Sequence, residues 1–189
     1  EDLYLPFKPK RRTRAQAARE IGLEPLAAAI MLQRDNDIES TAKRLITGKA
    51  FREQLQKMKV DANAFGVAEA LNGAKDIIAE NVSEDEECRN ILRHSFKREA
   101  MITSKVIKSK AETEEAQKYS DYFNFSEPLA RCSGNRLLAM RRGEADGILN
   151  VHISIVGDYA LERIRRRYIH GRGQCSQLVG EAIDDSYKR

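Results

Sequence analysis

Tryptophan is absent, and six tyrosines with six phenylalanines are only 6% of the 189 residues. A core so poor in rings must be filled by aliphatic side chains and alanine, which suits packed helices. The three cysteines, Cys88, Cys132 and Cys175, are far apart and never form C-x-x-C. That spacing excludes a disulfide framework or a zinc module read from sequence, and it favours a reducing, cytoplasmic setting. No apolar run approaches the roughly 20 residues that span a bilayer, and no charged-then-apolar leader is present, so no membrane partner is expected. An initiator methionine is also missing, and the chain closes on EAIDDSYKR. It therefore reads as a piece of a longer polypeptide.

Hydrophobic residues make up 41% and charged residues 33%, enough for one or two domains with a substantial core. Thirty-three Lys and Arg against 29 Asp and Glu leave a net +4 and a pI near 9.0. This permits a polyanionic partner without requiring one.

Helical signals dominate. Thr13 is placed to cap RAQAAREI, Gly22 to end it, and Pro25 to open a second helix through LAAAIMLQR. Asn36 or Asp37 can cap a third segment with apolar Ile38, Ala42, Leu45 and Ile46. Gly48 punctuates it before FREQLQKM. From Ala64 to Glu80, the residues Val67, Ala70, Leu71, Ala74, Ile77 and Ile78 form the strongest amphipathic stripe. Ser83 and Glu86 have capping-box spacing for a helix through CRNILRHSF. The middle is less regular. ITSKVIKSK alternates like a short strand, KYSDYFNFSEP reads as an irregular aromatic-rich connection, and ILNVHISIV as extended chain. NRLLAMRRGE, Asp158 to Tyr168, and Gln174 onward return to helix. The fold expected is all-α, a multi-helix domain with short extended segments. Residues 1–189 read as one helical region, with any sub-division near 82–110.

No catalytic signature stands out. His94, His152 and His170 lie in unrelated segments, and neither H-E-x-x-H nor G-x-S-x-G occurs. The expectation is a non-enzyme with no catalytic residues, metal or cofactor. Gly171-Arg172-Gly173 before a helix start could cradle an anion, but so short a G-x-G fits an ordinary inter-helix loop better. The pair RAQAAREI and LEPLAAAIMLQR has helix-turn-helix spacing. Its second helix offers Leu, Ala, Ile and Met where base readout needs polar side chains, so a buried helix pair is the better reading. Two basic clusters remain as candidate nucleic-acid contacts: Lys8, Lys10, Arg11, Arg12 and Arg14, and Arg163, Arg166 and Arg167, with Arg165 on another helical face. Against this stands the common fate of charge runs, a solvated or ion-paired face.

Four stretches together are specific: EDLYLPFKPKRRTRA with AREIGLEPLA, EALNGAKDIIAE, KYSDYFNFSEPLARCSGNRLLAMRRGEADGIL, and the closing DDSYKR. They resemble the bacterial Tex family of transcription accessory proteins, also described as S1 RNA-binding-domain proteins. One departure is Asn135 where the family pattern has histidine before Arg136. The resemblance implies the helical N-terminal region of a multidomain cytoplasmic protein, without its YqgF-type, helix-hairpin-helix and S1 domains. It implies nucleic acid, RNA or DNA, as partner, bound mainly through those other domains and without sequence specificity. RNA polymerase or other transcription proteins are further partners to expect, and a pure protein-interaction module is the alternative. Beside the family, Leu3, Tyr4, Leu5 and Phe7 read as a packed strap stiffened by Pro6 and Pro9. Tyr119, Tyr122, Phe123 and Phe125 read as anchors of the long connection, with Glu127 and Arg136 or Arg142 as buried pairs.

Overall fold

A computed structural model describes residues 12–34, 37–155 and 159–188. The strap from Leu3 to Pro9, the cations Lys8, Lys10 and Arg11, and the proposed starts at Asn36 and Asp158 lie outside the described residues. The chain forms two compact units. The first holds the described residues up to Arg89 and from Leu161 on, and the second runs from Asn90 to Ala160.

The first unit is built on helix α5 (Val67–Glu84). Helices α1 (Arg14–Ile21), α2 (Glu24–Met31), α3 (Ile38–Thr47) and α10 (Gln174–Lys188) all pack against it. The stripe read from sequence is the reason: Ala70, Ala74, Ile77 and Ile78 are buried along α5, joined by Ala79 and Val82. Small residues on this face let neighbours come close. A side chain on Gly73 would strike the side chain of Leu23, itself 1% exposed.

Caps set the helix ends. Thr13 accepts a hydrogen bond from Gln16 N, and Gly22 turns the chain at φ +100°. Asp37 accepts from Ser40 N and from the Ser40 hydroxyl. Those bonds, the hydroxyl's first, hold its carboxyl below the usual aspartate range. Two sequence expectations are corrected here. Helix α2 stops at Met31, because Gln33 takes φ +50°. Helix α6 (Glu86–Glu99) follows directly on Asp85, whose carboxylate accepts from Glu87 N, while Ser83 stays in α5 and donates to Glu80 O.

The second unit corrects the all-α expectation to mainly α. Strand β1 (Ala100–Val106) pairs antiparallel with β2 (Asn124–Pro128) on one side and β3 (Leu149–Ile155) on the other. KYSDYFNFSEP, expected as irregular, supplies β2. Ile102 sits opposite Glu127 and Ile153, and Ser104 opposite Phe125 and Val151. The buried face of β1, with Leu149 and Val151, packs with Ala116 of α7 (Glu114–Gln117), with Ile148 and with Met140 of α8 (Gly134–Ala145). Tyr119, Tyr122, Phe123 and Phe125 pack around that core as half-buried rings, and Tyr122 meets Phe125 edge-on. The five residues of β2 are too short a run to show period-2 patterning, so only pairing with β1 makes it a strand.

Candidate nucleic-acid interface

Arg12 and Arg14 stand at the start of α1, and both have acidic partners. Arg12 Nη2 lies 2.7 Å from Glu20 Oε2. Arg14 reaches Asp76 of α5 at 3.5 Å and Asp185 of α10 at 3.6 Å. One turn on, Arg19 lies 2.5 Å from Glu80 and donates to Asn81 at 2.8 Å, while the Thr13 hydroxyl donates to Glu80. This edge of α1 is tied to α5 by charge, so its cations serve the fold.

The arginines of α9 (Tyr159–Tyr168) divide as helical spacing predicts. Ile164 points into the core, Arg165 pairs with Asp184 of α10, and Arg163, Arg166 and Arg167 are exposed. Arg167 is nevertheless engaged, with Nε 3.4 Å from Asp85 Oδ2. Tyr168 donates its hydroxyl to the same carboxylate, and Cys88 Sγ lies 3.5 Å from it. The tyrosine hydrogen bond, opposed by burial, lowers the Asp85 pKa; burial raises those of Tyr168 and Cys88. The site is a structural knot that fixes the start of α6 to the end of α9.

Gly171-Arg172-Gly173 is held in a similar way. Gln33 donates to Tyr168 O, accepts from His170 N at 2.9 Å, and accepts from the Ser176 hydroxyl at 3.0 Å. One side chain on the α2 terminus thus clamps the loop that opens α10. The left-handed Gln33 aims it there, and sequence gave no sign of so distant a partner.

In the second unit Glu127 does meet Arg136, with Nε 3.1 Å from Oε1. The glutamate side chain is 16% exposed and the arginine 44%, so only half of the expected pair is buried. The separation fits a charge contact, but the orientation leaves Glu127 Oε1 without an aligned hydrogen bond. Asn135, the departure from the family pattern, is exposed in the first turn of α8.

A third cationic stretch does not stand out as a run, because it is spread over two helices. Lys43 and Arg44 of α3, Lys49, Arg52 and Lys57 of α4 (Lys49–Lys57), and Lys59 are all exposed. Glu53 is the one acid among residues 43–59. Lys49 lies 3.9 Å from it, and Arg44 is near enough to Asp37 to help depress its pKa. Among the described residues, Lys43, Arg52, Lys57 and Lys59 make no ion pair. A charge count over a sliding window would have found this stretch; a search for adjacent basic residues does not.

Fold and surface together define a mainly helical protein with a small antiparallel sheet, whose cations are partly structural and partly displayed. No described helix is long and apolar enough to cross a membrane. The chain belongs to the Tex family: residues 48–184 match the family model described as Tex central region-like. It is 36% identical over 191 residues to YdcI of Bacillus subtilis (strain 168), covering 100% of this chain and 25% of that protein. It is 40% identical over 158 residues to the transcriptional accessory protein Tex of Neisseria gonorrhoeae, covering 84% of this chain and 19% of that one. To the human S1 RNA-binding domain-containing protein 1 it is 24% identical over 202 residues, covering 100% and 19%. The chain therefore spans a quarter or less of these relatives.

Proposed function

We propose that this chain is the helical body of a transcription accessory protein, which supports neighbouring domains and adds sequence-independent contact with nucleic acid. The observation that carries the reading is the family match over residues 48–184, joined to a relative named for transcription and another named for an S1 RNA-binding domain. The surface supports it. Helix α2, the would-be recognition helix, buries Leu26, Ala27 and Ile30, and beyond Glu24 it carries none of the polar side chains that read base edges. Exposed lysines and arginines can instead meet phosphates, which gives affinity without sequence preference. The role is a non-enzymatic one, in the cytoplasm, with RNA polymerase or another transcription protein as further partner.

Gel-shift titration of the chain with duplex DNA and with single-stranded RNA tests this. Weak binding at low salt that disappears by about 200 mM salt is expected. Absence of any shift at low salt would overturn it in favour of a protein-interaction module. That second reading is favoured by exposed apolar side chains: Leu32 at 64% in the first unit and Leu138 at 58% in the second.

A further inference from the structure

We propose that the hairpin of α3 and α4 is the phosphate-binding surface of this chain, and that its partner is the backbone of duplex DNA. The proposal rests on the reading that the chain touches nucleic acid, and it narrows that reading to one surface and one form of ligand.

Charge is the first argument. Residues 43–59 carry six cations and one acid, a net +5, within a chain whose total is +4, so the remainder is net −1. This is one of the most positive stretches of the sequence, equal in net charge to residues 8–14. Among the described residues of the two basic clusters, several cations already have acidic partners: Arg12 has Glu20, Arg14 has Asp76 and Asp185, Arg165 has Asp184, and Arg167 has Asp85. In the hairpin the acids are few: Glu39 of α3 and Glu53 of α4 stand against Lys43, Arg44, Lys49, Arg52 and Lys57, and among the described residues Lys43, Arg52 and Lys57 make no ion pair. Cations held together without counter-charges repel one another, and a polyanion relieves that repulsion while releasing its own counterions.

Rigidity is the second argument. Ile38 and Ala42 anchor α3, Phe51 and Leu55 anchor α4, and the two helices pack against each other. Gln54 also donates to Glu20 O at 2.9 Å, tying α4 to the end of α1. The cations are thus carried on a fixed frame.

The form of the ligand follows from what the surface offers. Phe51 is buried against Phe65, with ring centroids 5.6 Å apart, so it is not available to stack a base. Single strands are held largely by stacking on exposed rings, which residues 43–59 do not provide. A duplex presents its phosphates on the outside at high linear density. The α4 cations from Lys49 to Lys57 span about 12 Å at the helical rise. One strand of a duplex places a phosphate about every 3.4 Å of axis, so three or four fall within that span.

Fluorescence anisotropy with labelled duplex DNA, single-stranded DNA and duplex RNA over a salt series tests the proposal. The variant K43Q/R44Q/R52Q/K57Q is expected to bind duplex DNA about tenfold or more weakly at low salt, with a log–log salt slope shallower by about 3 to 4. R163Q/R166Q should change affinity less than about threefold. The double variants K43Q/R44Q and R52Q/K57Q, each checked by circular-dichroism melting, should each show about half the slope change and guard against misfolding. Wild-type affinity in the hairpin variants, with wild-type chain still binding DNA, overturns this assignment but leaves the proposed function standing. Tighter binding to single strands than to duplexes overturns the choice of ligand. No binding of any probe by the wild-type chain overturns both.

Discussion

Around α5 the protein is helix on helix, while between Asn90 and Ala160 it is a three-stranded sheet backed by α8 and a ring of half-buried aromatics. The first unit fills its core with Ala, Leu, Ile and Val brought together by helical periodicity, and closes its edges with ion pairs such as Arg19 with Glu80 and Lys75 with Glu181. The second has the smaller core, and strand pairing supplies much of its order. A helix bundle can trade surface charge for function at one edge because its backbone hydrogen bonds are local. A small sheet has no such freedom, since each strand depends on its neighbour.

The largest effects should come from the two cores. Ile77→Ala in α5 and Ile102→Ala in β1 remove side chains that are 1% and 0% exposed, and each should cost about 2–5 kcal/mol. Hydrogen exchange should then loosen amides of α1, α2, α3 and α10 in the first case and of β1 to β3 in the second. The same amides loosening in both would dissolve the contrast.

Next come two helix glycines. A Cβ at Gly143 would lie 2.5 Å from Leu149 Cδ1, so Gly143→Ala should destabilise by about 1–3 kcal/mol despite its better helix propensity. At Gly180 the nearest atom, Ile169 Cδ1, would be 3.4 Å away, and Gly180→Ala should be neutral or gain up to about 1 kcal/mol. Urea denaturation separates the two, and a stable Gly143→Ala would show that the α8–β3 contact is loose.

The smallest expected effect is acid sensitivity of the first unit. Asp85 has its pKa lowered mainly by the Tyr168 hydrogen bond, so its contribution is complete above the ordinary aspartate value of about 3.9 and fades as pH falls through its folded value. The melting temperature of the wild type should fall more between about pH 5 and 3 than that of Asp85→Asn. Asp37, also lowered, leaves some sensitivity in the variant. Equal curves would mean that the Tyr168 bond contributes nothing in solution.

Legibility followed the range of the interactions. The Thr13 cap, the Gly22 terminus, the Asp37 cap and the α5 stripe each depend on residues a few positions apart, and all were readable. The edge strand β2 was not, because its pairing partner lies some twenty residues upstream and its five residues alternate too briefly. The basic clusters were visible as charge, yet charge in sequence does not tell whether an acid stands opposite. Arg14 meets Asp185 only because α1 and α10 share α5 as a neighbour.

By itself, then, the sequence determined a helix-rich chain of the Tex family, with its helix caps and its main apolar stripe, since these rest on local spacing and on long specific stretches of residues. Tertiary structure alone decided which cations are spent on Asp76, Asp85, Asp184 and Asp185 and which face solvent on α3 and α4. The physical reason is that an ion pair depends on distance in space, and residues 43–59 fold to a surface with a single acid of their own.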